Sequence, residues 1–424
     1  MLTWHESAPI PFQFESNGIK NACRYQLGCI IMCKVKWLTT LQSDKVSRSV
    51  YKRPRLSRIL VVTGAYVPSA GGAEYSLHET LQYLRSLGFQ VRVITASCKR
   101  RDKLRFDNIV VAPLEAPGEV IRRQVATWMP DIIFTQLLWS DCILSHKRIL
   151  GIPVVYFARN VGGNLDLSPG RHESPDLIVA NCEDTRRSIK SEWGCDSLVL
   201  HPVVLDARFC YQDAEPRHLH FMLNPLLIKG GDQFCRVAEA RPQLKFATIF
   251  GWDQYRLGPS SNASWDPKVV KILEKARNKK ITTMPTYANL NHISNISVLA
   301  LTENMHEVYA RLRVLLLPSR WREAVSRVLV EAAACGVPSI VSLGGGVSEG
   351  PYLEEYALPP SAKVGDWVCL LDKLQNEFEW SQASERIQEK YNHYRCRLVK
   401  ELNTLAHELT RLVHLSSKDR VDDN

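Results

Sequence analysis

The sequence predicts an α/β protein with two doubly wound, Rossmann-like domains that face a central cleft. At 424 residues the chain exceeds the length at which one hydrophobic core usually stops growing. Short β-branched runs alternate with helical patterns on both sides of a polar stretch at 214–218, and such alternation is typical of parallel sheets covered by helices. We therefore expect domains at 58–215 and 216–412, with a poorly ordered basic extension at 1–57 and a polar tail at 413–424.

The composition excludes several classes of protein. Hydrophobic residues make up 45% and charged residues 23% of the chain, which is ordinary for a globular protein and excludes disorder as the dominant state. The net charge is +10, but residues 1–57 contain nine lysines and arginines against three acidic residues, so +6 of it lies in the extension. The rest of the chain is only mildly basic, which argues against a nucleic-acid partner.

Cysteine spacing and hydropathy indicate the cellular compartment in which we expect the protein. The twelve cysteines include no C-x-x-C pair, and no zinc site can be built from neighbouring Cys and His. We therefore expect no zinc site of this kind and a reduced, cytoplasmic compartment. No stretch is apolar over the roughly 20 residues needed to cross a bilayer. The basic segment at 99–105 leaves two readings open, peripheral contact with an anionic membrane or a solvated basic loop.

The elements follow one another as strand, loop, helix and strand. In the first domain we expect buried strands at 58–63, 90–95, 131–135, 154–157 and 177–180, and a helix at 73–87 that stops at Gly88. In the second domain we expect strands at 220–223, 244–250, 298–301, 313–317 and 338–342, with helices at 234–240, 305–310 and 327–335. Ligands of such sheets bind at the carboxyl ends of the strands.

A glycine-rich loop at 64–72 follows the first strand and precedes a helix. Glycines such as Gly71 and Gly72 let backbone N–H groups approach a phosphate, and the helix N-terminus adds partial positive charge. The loop matches neither the dinucleotide fingerprint nor the Walker A motif. A turn that merely joins strand and helix is the alternative.

The loop from Asn224 to Gly231 occupies the equivalent place in the second domain. Lys229 precedes two glycines there, and a lysine that points into the cleft can neutralise a departing diphosphate. A solvated lysine is the alternative, although the glycines favour close approach of the backbone to a ligand.

The segment 318–349 contains most of the chemically informative residues. Glu323 precedes a helix that ends near Gly336, and Glu331 lies two turns along it among valines and alanines. A carboxylate in such apolar surroundings needs partners, unless it faces solvent. Two acidic groups placed in this way suit the hydroxyls of a sugar and a ribose. The turn at Gly345 and Gly346 adds backbone donors.

These motifs resemble those of the retaining glycosyltransferases of family 4, which have the two-domain GT-B fold. The resemblance spans about residues 58–412. It is carried by Gly71-Gly72-Ala73-Glu74, Lys229-Gly230, the Glu323-x7-Glu331 pair followed by Ala-x3-Gly-x-Pro, Gly345-Gly346-x2-Glu349, and residues 176–181.

The resemblance implies transfer of a sugar from a UDP- or GDP-sugar to a saccharide or lipid-linked acceptor, with retention of configuration and without a metal or other cofactor. It implies a role in polysaccharide or glycolipid synthesis. It assigns Glu323 to the donor sugar, Lys229 to the diphosphate and Glu331 to the ribose. The other donor-binding positions that it implies are Gly71, Gly72, Asn224, Val325, Ser326, Arg327, Gly345 and Gly346.

The chain departs from the family's pattern at four positions. Asn224 replaces an arginine five residues before the lysine, and Arg159 replaces a histidine of the first domain. Val325 and Ser326 replace an aromatic residue and a glycine. Arg159 can itself hold phosphate, so we count it among the catalytic residues. The same departures leave an alternative open, a catalytically silent relative that binds sugar nucleotides or organises an assembly.

Overall fold

A computed structural model describes residues 57–67, 71–95, 104–106, 109–113, 117–137, 140–160, 173–205, 209, 217–250, 288–290, 292–302 and 304–422. The extension at 1–57, apart from Ser57, lies outside these residues, as does most of the expected linker at 214–218. Most of the basic segment at 99–105 also lies outside them. Its last two residues, Leu104 and Arg105, belong to a strand.

The first domain contains one mainly parallel sheet. Its described strands are β1 (Arg58–Thr63), β2 (Gln90–Thr95), β3 (Leu104–Phe106), β4 (Ile109–Pro113), β5 (Ile132–Gln136), β6 (Val154–Ala158), β7 (Leu177–Ala180) and β8 (Leu198–Val199). They lie in the order β3-β4-β2-β1-β5-β6-β7-β8, and only β3 runs antiparallel to its neighbour. The β-branched run of β1 is buried on both faces, as a central strand between two helical layers requires.

Helices cover both faces of this sheet. Those described are α1 (Gly72–Ser86), α2 (Pro117–Trp128), α3 (Ser140–Ser145), α4 (Lys147–Leu150) and α5 (Glu183–Trp193). The Glu74 carboxylate accepts a hydrogen bond from the Gly71 backbone N–H at 2.9 Å, which fixes the start of α1. Cys182 caps α5, and Gly194 ends that helix in the left-handed conformation.

The second domain repeats this architecture. Its described strands are β9 (Leu219–Leu223), β10 (Lys245–Ile249), β11 (Ile296–Val298), β12 (Leu312–Leu317), β13 (Ser339–Ser342) and β14 (Ala357–Leu358), in the order β11-β10-β9-β12-β13-β14. All described pairs are parallel. The helices that cover this sheet include α6 (Gly231–Glu239), α7 (Met305–Ala310), α8 (Arg327–Ala334) and α9 (Val364–Lys373). The two sheets confirm the fold class expected from the sequence.

The longest helix, α10 (Glu377–Asp422), connects the domains. Near its start, Trp380 donates a hydrogen bond to the backbone carbonyl of Arg313 in the second domain. Further along, Tyr391 and Tyr394 donate to the carbonyls of Val204 and Pro202 in the first domain, both at 2.9 Å. The helix therefore begins on one domain and ends on the other.

The polar tail expected at 413–424 is helical over most of its length. Residues 413–422 continue α10, and Leu412 and Val413 pack against the first domain's core. The polar residues of this stretch lie among apolar ones at helical spacing, so a mainly polar composition did not indicate the absence of structure.

Candidate active site between the two domains

Two loops of the second domain bring Lys229 and Glu323 together. The Lys229 loop follows β9 and the Glu323 loop follows β12, and these strands are neighbours in the sheet. The Lys229 Nζ atom lies 3.2 Å from a carboxylate oxygen of Glu323. The Ser319 hydroxyl donates to the same oxygen at 3.0 Å. The cation and the carboxylate expected at the diphosphate and the sugar therefore form one half-buried group.

Gly230 makes the close approach of these loops possible. It has φ 79°, and a Cβ atom at this position would lie 1.9 Å from the carbonyl oxygen of Pro318. Only glycine combines this conformation with this contact. The glycine beside Lys229 is therefore required for packing against the Glu323 loop.

The turn at Gly345 and Gly346 supports the Glu323 backbone. The Gly346 N–H donates to the Glu323 carbonyl at 2.7 Å. Gly345 has φ 60°, and a Cβ there would lie 2.2 Å from the same carbonyl oxygen. The Gly346 donor is thus already used in holding Glu323, whereas the sequence predicted a contact with the donor substrate.

Arg327 is the centre of a buried ionic network at the start of α8. Its guanidinium donates to Glu331 at 2.6 Å, to Glu79 of α1 and to the carbonyl of Val203. Burial lowers the pKa of Arg327, but the two carboxylates outweigh it and hold that pKa above the ordinary value. Removing one partner from such a network leaves an uncompensated buried charge, which costs about 3–5 kcal/mol.

Glu331 has partners on both carboxylate oxygens. Besides the contact with Arg327, it accepts a hydrogen bond of 2.8 Å from the buried Tyr309 hydroxyl. Burial and the charge of Glu331 both raise the pKa of Tyr309. These contacts explain how an acidic residue is accommodated in the apolar helix α8. A ribose hydroxyl would have to use the remaining lone pairs of the carboxylate, and its binding here stays a prediction.

The expected phosphate-binding backbone lies beside this network. A Cβ atom at Gly72 would be 3.2 Å from the Cβ of Arg327, so the Gly71–Gly72 start of α1 packs directly on the second domain. The α8 N-terminus, from Val325 to Arg327, has no side-chain cap at Ser326. Backbone donors of both domains therefore approach the same region.

Asn224 is a strained residue with an unsatisfied side chain. It lies after β9 with φ 59°, is 3% exposed, and neither atom of its amide group has a hydrogen-bond partner. Each unpaired buried polar atom costs about 1–3 kcal/mol. Strain and unsatisfied groups concentrate at functional sites, so Asn224 is a candidate ligand of a bound substrate.

Arg159 lies in the first domain, apart from the Lys229–Glu323 pair. It follows β6, donates from Nε to the Gln136 side chain at 2.8 Å, and lies over the Phe157 ring. Burial lowers the pKa of Arg159 to about 10, although Glu74 and Tyr156 raise it. The structure thus groups Arg159 with Glu74 of the glycine-rich motif.

A set of contacts that the sequence did not predict joins the two domains around Glu323. Arg322 forms a bidentate pair with Asp184 of α5, at 2.8 and 2.5 Å. Glu349 accepts hydrogen bonds from the backbone N–H groups of Glu183 and Asp184 at the same helix N-terminus.

His201 extends this set to α10. Its Nε2 lies 3.0 Å from Glu349 and its Nδ1 lies 2.8 Å from Glu401. Burial lowers the pKa of His201, but the two carboxylates raise it above 6.5 overall. One imidazole therefore joins the turn that holds Glu323 to the long helix.

Two features are absent from the residues that the structure describes. No group of three or more His, Cys, Asp or Glu side chains among them is arranged to hold a metal ion. Within the same residues, no helix combines the length and apolarity needed to cross a membrane.

Comparison with known families identifies the class. Residues 70–205 match the model of glycosyltransferase family 4, and residues 275–368 match the model of glycosyl transferases group 1. No curated protein sequence matches the chain.

Solved structures share the fold at low sequence identity. A sucrose-phosphate synthase from Thermosynechococcus elongatus superposes with a TM-score of 0.62 at 14% identity, over 84% of this chain and 99% of that one. Anabaena HepE, in complex with UDP and glucose, gives 0.61 at 16% identity, over 84% and 100%. WaaG, a glycosyltransferase involved in lipopolysaccharide biosynthesis, gives 0.55 at 13% identity, over 83% and 99%.

The two sheets therefore have the GT-B fold, and the two family matches give the class as glycosyltransferase. Within that class, the chain belongs to the glycosyltransferases matched by the family 4 and group 1 models.

Proposed function

We propose that the chain transfers a sugar from a nucleotide-diphosphate sugar to an acceptor hydroxyl, with retention of anomeric configuration and without a metal. The observation that carries the proposal is the contact between Lys229 and Glu323 at the carboxyl ends of neighbouring strands. The Lys229 loop also contains the unsatisfied Asn224 amide. Anabaena HepE, which shares the fold, has been solved with UDP-glucose, which supports a nucleotide-sugar donor.

The proposed roles follow from charge and position. Lys229 neutralises the diphosphate as it departs, and the backbone N–H groups at the α8 N-terminus add partial positive charge. Glu323 accepts hydrogen bonds from the donor sugar, and its contact with Lys229 is exchanged for contacts with the substrate. A lysine and helix amides can in this way provide the charge that a metal provides elsewhere.

Retention requires attack on the face from which the diphosphate leaves. The bond from the anomeric carbon to the diphosphate oxygen breaks, and a bond from the same carbon to the acceptor oxygen forms on that face. The acceptor proton passes to the departing diphosphate oxygen. The charge that develops on the diphosphate is then stabilised by Lys229.

A panel of UDP- and GDP-sugars, assayed for nucleotide release with saccharide and lipid-linked acceptors, tests the proposal. We expect turnover with at least one donor, and Glu323→Gln and Lys229→Met should each lower it by about 10²-fold or more. The matched controls are Glu389→Gln and Lys400→Met, at exposed positions of α10.

Three results would count against the proposal. Wild-type rates in both site variants would refute the assigned roles. Absence of both donor binding and turnover across the panel would refute the transferase function. Donor binding without turnover would favour the sugar-nucleotide-binding alternative.

A further inference from the structure

Two side-chain donors of the first domain are buried, lack a hydrogen-bond partner and belong to one cluster. They are Nε2 of Gln136 and Nη2 of Arg159. Gln136 is the last residue of β5, and Arg159 follows β6 directly. These strands are parallel neighbours, so the two side chains leave the sheet at the same edge, where α/β proteins bind their ligands. The bond from Arg159 Nε to Gln136 Oε1 joins them.

The orientation of both groups is fixed. A guanidinium has only donors, so the Gln136 amide must turn its oxygen towards Arg159 and its NH2 group away. The guanidinium also lies on the Phe157 ring, with the Arg159 carbon Cζ 5.1 Å from the ring centre. The Arg159 backbone is tied to Asn181, whose side-chain amide donates to its carbonyl at 2.7 Å. Neither donor can turn to another partner without losing these contacts.

The positive charge of this cluster is incompletely compensated. Glu74 is the acidic group that acts on Arg159, but its Oε2 accepts the hydrogen bond of the Gly71 N–H. Burial raises the pKa of Glu74 and lowers the pKa of Arg159, so neither charge fully stabilises the other. A ligand that brings negative charge would stabilise the guanidinium.

The cluster lies on the side of the first domain that faces the second. Glu74 belongs to the first turn of α1, and Gly72 in that turn packs on Arg327 of α8. A substrate held between the domains is therefore close to the start of the helix that carries Glu74.

We infer that Arg159 and Gln136 bind an anionic oxygen group, a carboxylate or a phosphate, carried by one of the two sugar substrates. Both unsatisfied atoms are donors, and an anionic group offers several acceptor oxygens without bringing a proton of its own. A guanidinium beside an amide NH2 is a suitable partner for such a group. The inference rests on the proposed transfer and specifies the substrate class.

Calorimetry with two arms distinguishes the source of the anion. The donor arm compares UDP-glucuronate with UDP-glucose. The acceptor arm compares glucuronate and glucose 6-phosphate with glucose, each in saturating UDP. We expect the anionic ligand of one arm to bind about tenfold or more tightly than its neutral counterpart, as for an added charge-assisted hydrogen bond.

Substitutions assign the preference to the cluster. Arg159→Met and Gln136→Leu should reduce the anionic preference to near unity. Arg148→Met, on the exposed surface of α4 in the same domain, should retain it. The wild-type comparison needs no substitution, so a variant that misfolds does not remove the test.

UDP separates the failure of this inference from the failure of the proposed function. If UDP itself does not bind, the proposed function is wrong. If UDP binds but neither arm prefers its anionic ligand, the subsite is overturned while the transferase stands. A preference that persists in both cluster variants also overturns it.

Discussion

Gly230 and Asn224 are residues whose backbone conformations depend on their position in one loop. Both have positive φ, at 79° and 59°, and they flank the short 3₁₀ turn that carries Lys229. Side chains other than glycine rarely adopt this region without strain. The position of the lysine therefore depends on two residues that make no charged contact with it.

Substituting Gly230 tests this dependence. In Gly230→Ala the added Cβ would overlap the Pro318 carbonyl, and we expect the free energy of unfolding to fall by about 2–4 kcal/mol. Urea denaturation measures this change. In Gly365→Ala, on α9, the new Cβ meets no atom within 4 Å, so this control should be neutral or gain about 0.5–1 kcal/mol. Equal midpoints for the two variants would contradict the packing argument.

The residues of the site differ in how far the sequence could predict them. Lys229 and Glu323 are 94 residues apart, yet both follow strands that the sequence indicated, and strand ends of one sheet meet at one edge. The contact of Arg322 with Asp184 has no local signal, because it depends on how two separately folded sheets are oriented. The partners of Glu331 were required by its apolar surroundings, but their identity was not.

At the scale of elements, two parts of the fold meet at His201. The turn Gly345–Glu349 contributes Glu349, and α10 contributes Glu401, Arg397 and the Tyr394 ring. Glu349 also accepts hydrogen bonds from the N-terminus of α5. Burial raises the pKa of Glu349, but His201 and these amides outweigh it and leave that pKa below 4.5. In the His201–Glu349 contact, the pKa of the imidazole is thus raised and the pKa of the carboxylate is lowered.

These shifts predict how the stability of the contact depends on pH. The pKa of His201 is raised in the folded state, so its contribution is complete below about 6.5 and is lost as the pH rises through the folded pKa. The pKa of Glu349 is lowered, so its contribution is present above about 4.5 and is lost as the pH falls through the folded pKa. The contact should therefore stabilise most between these values.

The measurement is urea denaturation from pH 4 to 9 with His201→Gln. Near pH 6 we expect the free energy of unfolding of the wild type to exceed that of the variant by about 1–3 kcal/mol. This difference should shrink as the pH rises above neutrality. His393→Gln, at an exposed position on α10, should show no such trend. A difference that grows with rising pH would show that His201 is neutral in the folded protein.

The element pattern was largely predictable. The strands at 58–63, 90–95 and 177–180 have the expected bounds, because buried parallel strands are short apolar runs between turn residues. Helix α10 was not predicted from the sequence, which mixes polar residues with the leucines that pack on the first domain.

At the scale of the molecule, helix α10 provides contacts that hold the two domains together. Leu398, Leu402, Leu405 and Leu409 of this helix are buried in the core cluster that includes Leu77 and Leu81 of α1. Tyr83 of α1 donates a hydrogen bond to the Asn403 side chain at 2.9 Å. The core of the first domain is therefore completed by residues that follow both sheets in the chain.

Leu402→Asp tests this role of α10. A carboxylate without a partner would be placed in the core, and we expect the free energy of unfolding to fall by about 3 kcal/mol or more. Thr404→Asp, two residues further along on the exposed side, should change it by about 0.5 kcal/mol or less. The midpoint of urea denaturation compares the two. A similar small change in both variants would show that the packing of α10 on the first domain contributes little to the free energy of unfolding.

The course of α10 also has a consequence for how the chain is made on the ribosome. The first sheet leaves the ribosomal tunnel early, but the leucines that cover α1 are synthesised only after all strands of the second sheet. Until then the first domain presents an apolar surface to the solvent, where it can associate with chaperones or with other nascent chains. Translation that stops within the second domain would yield a product with a formed sheet and an uncovered core.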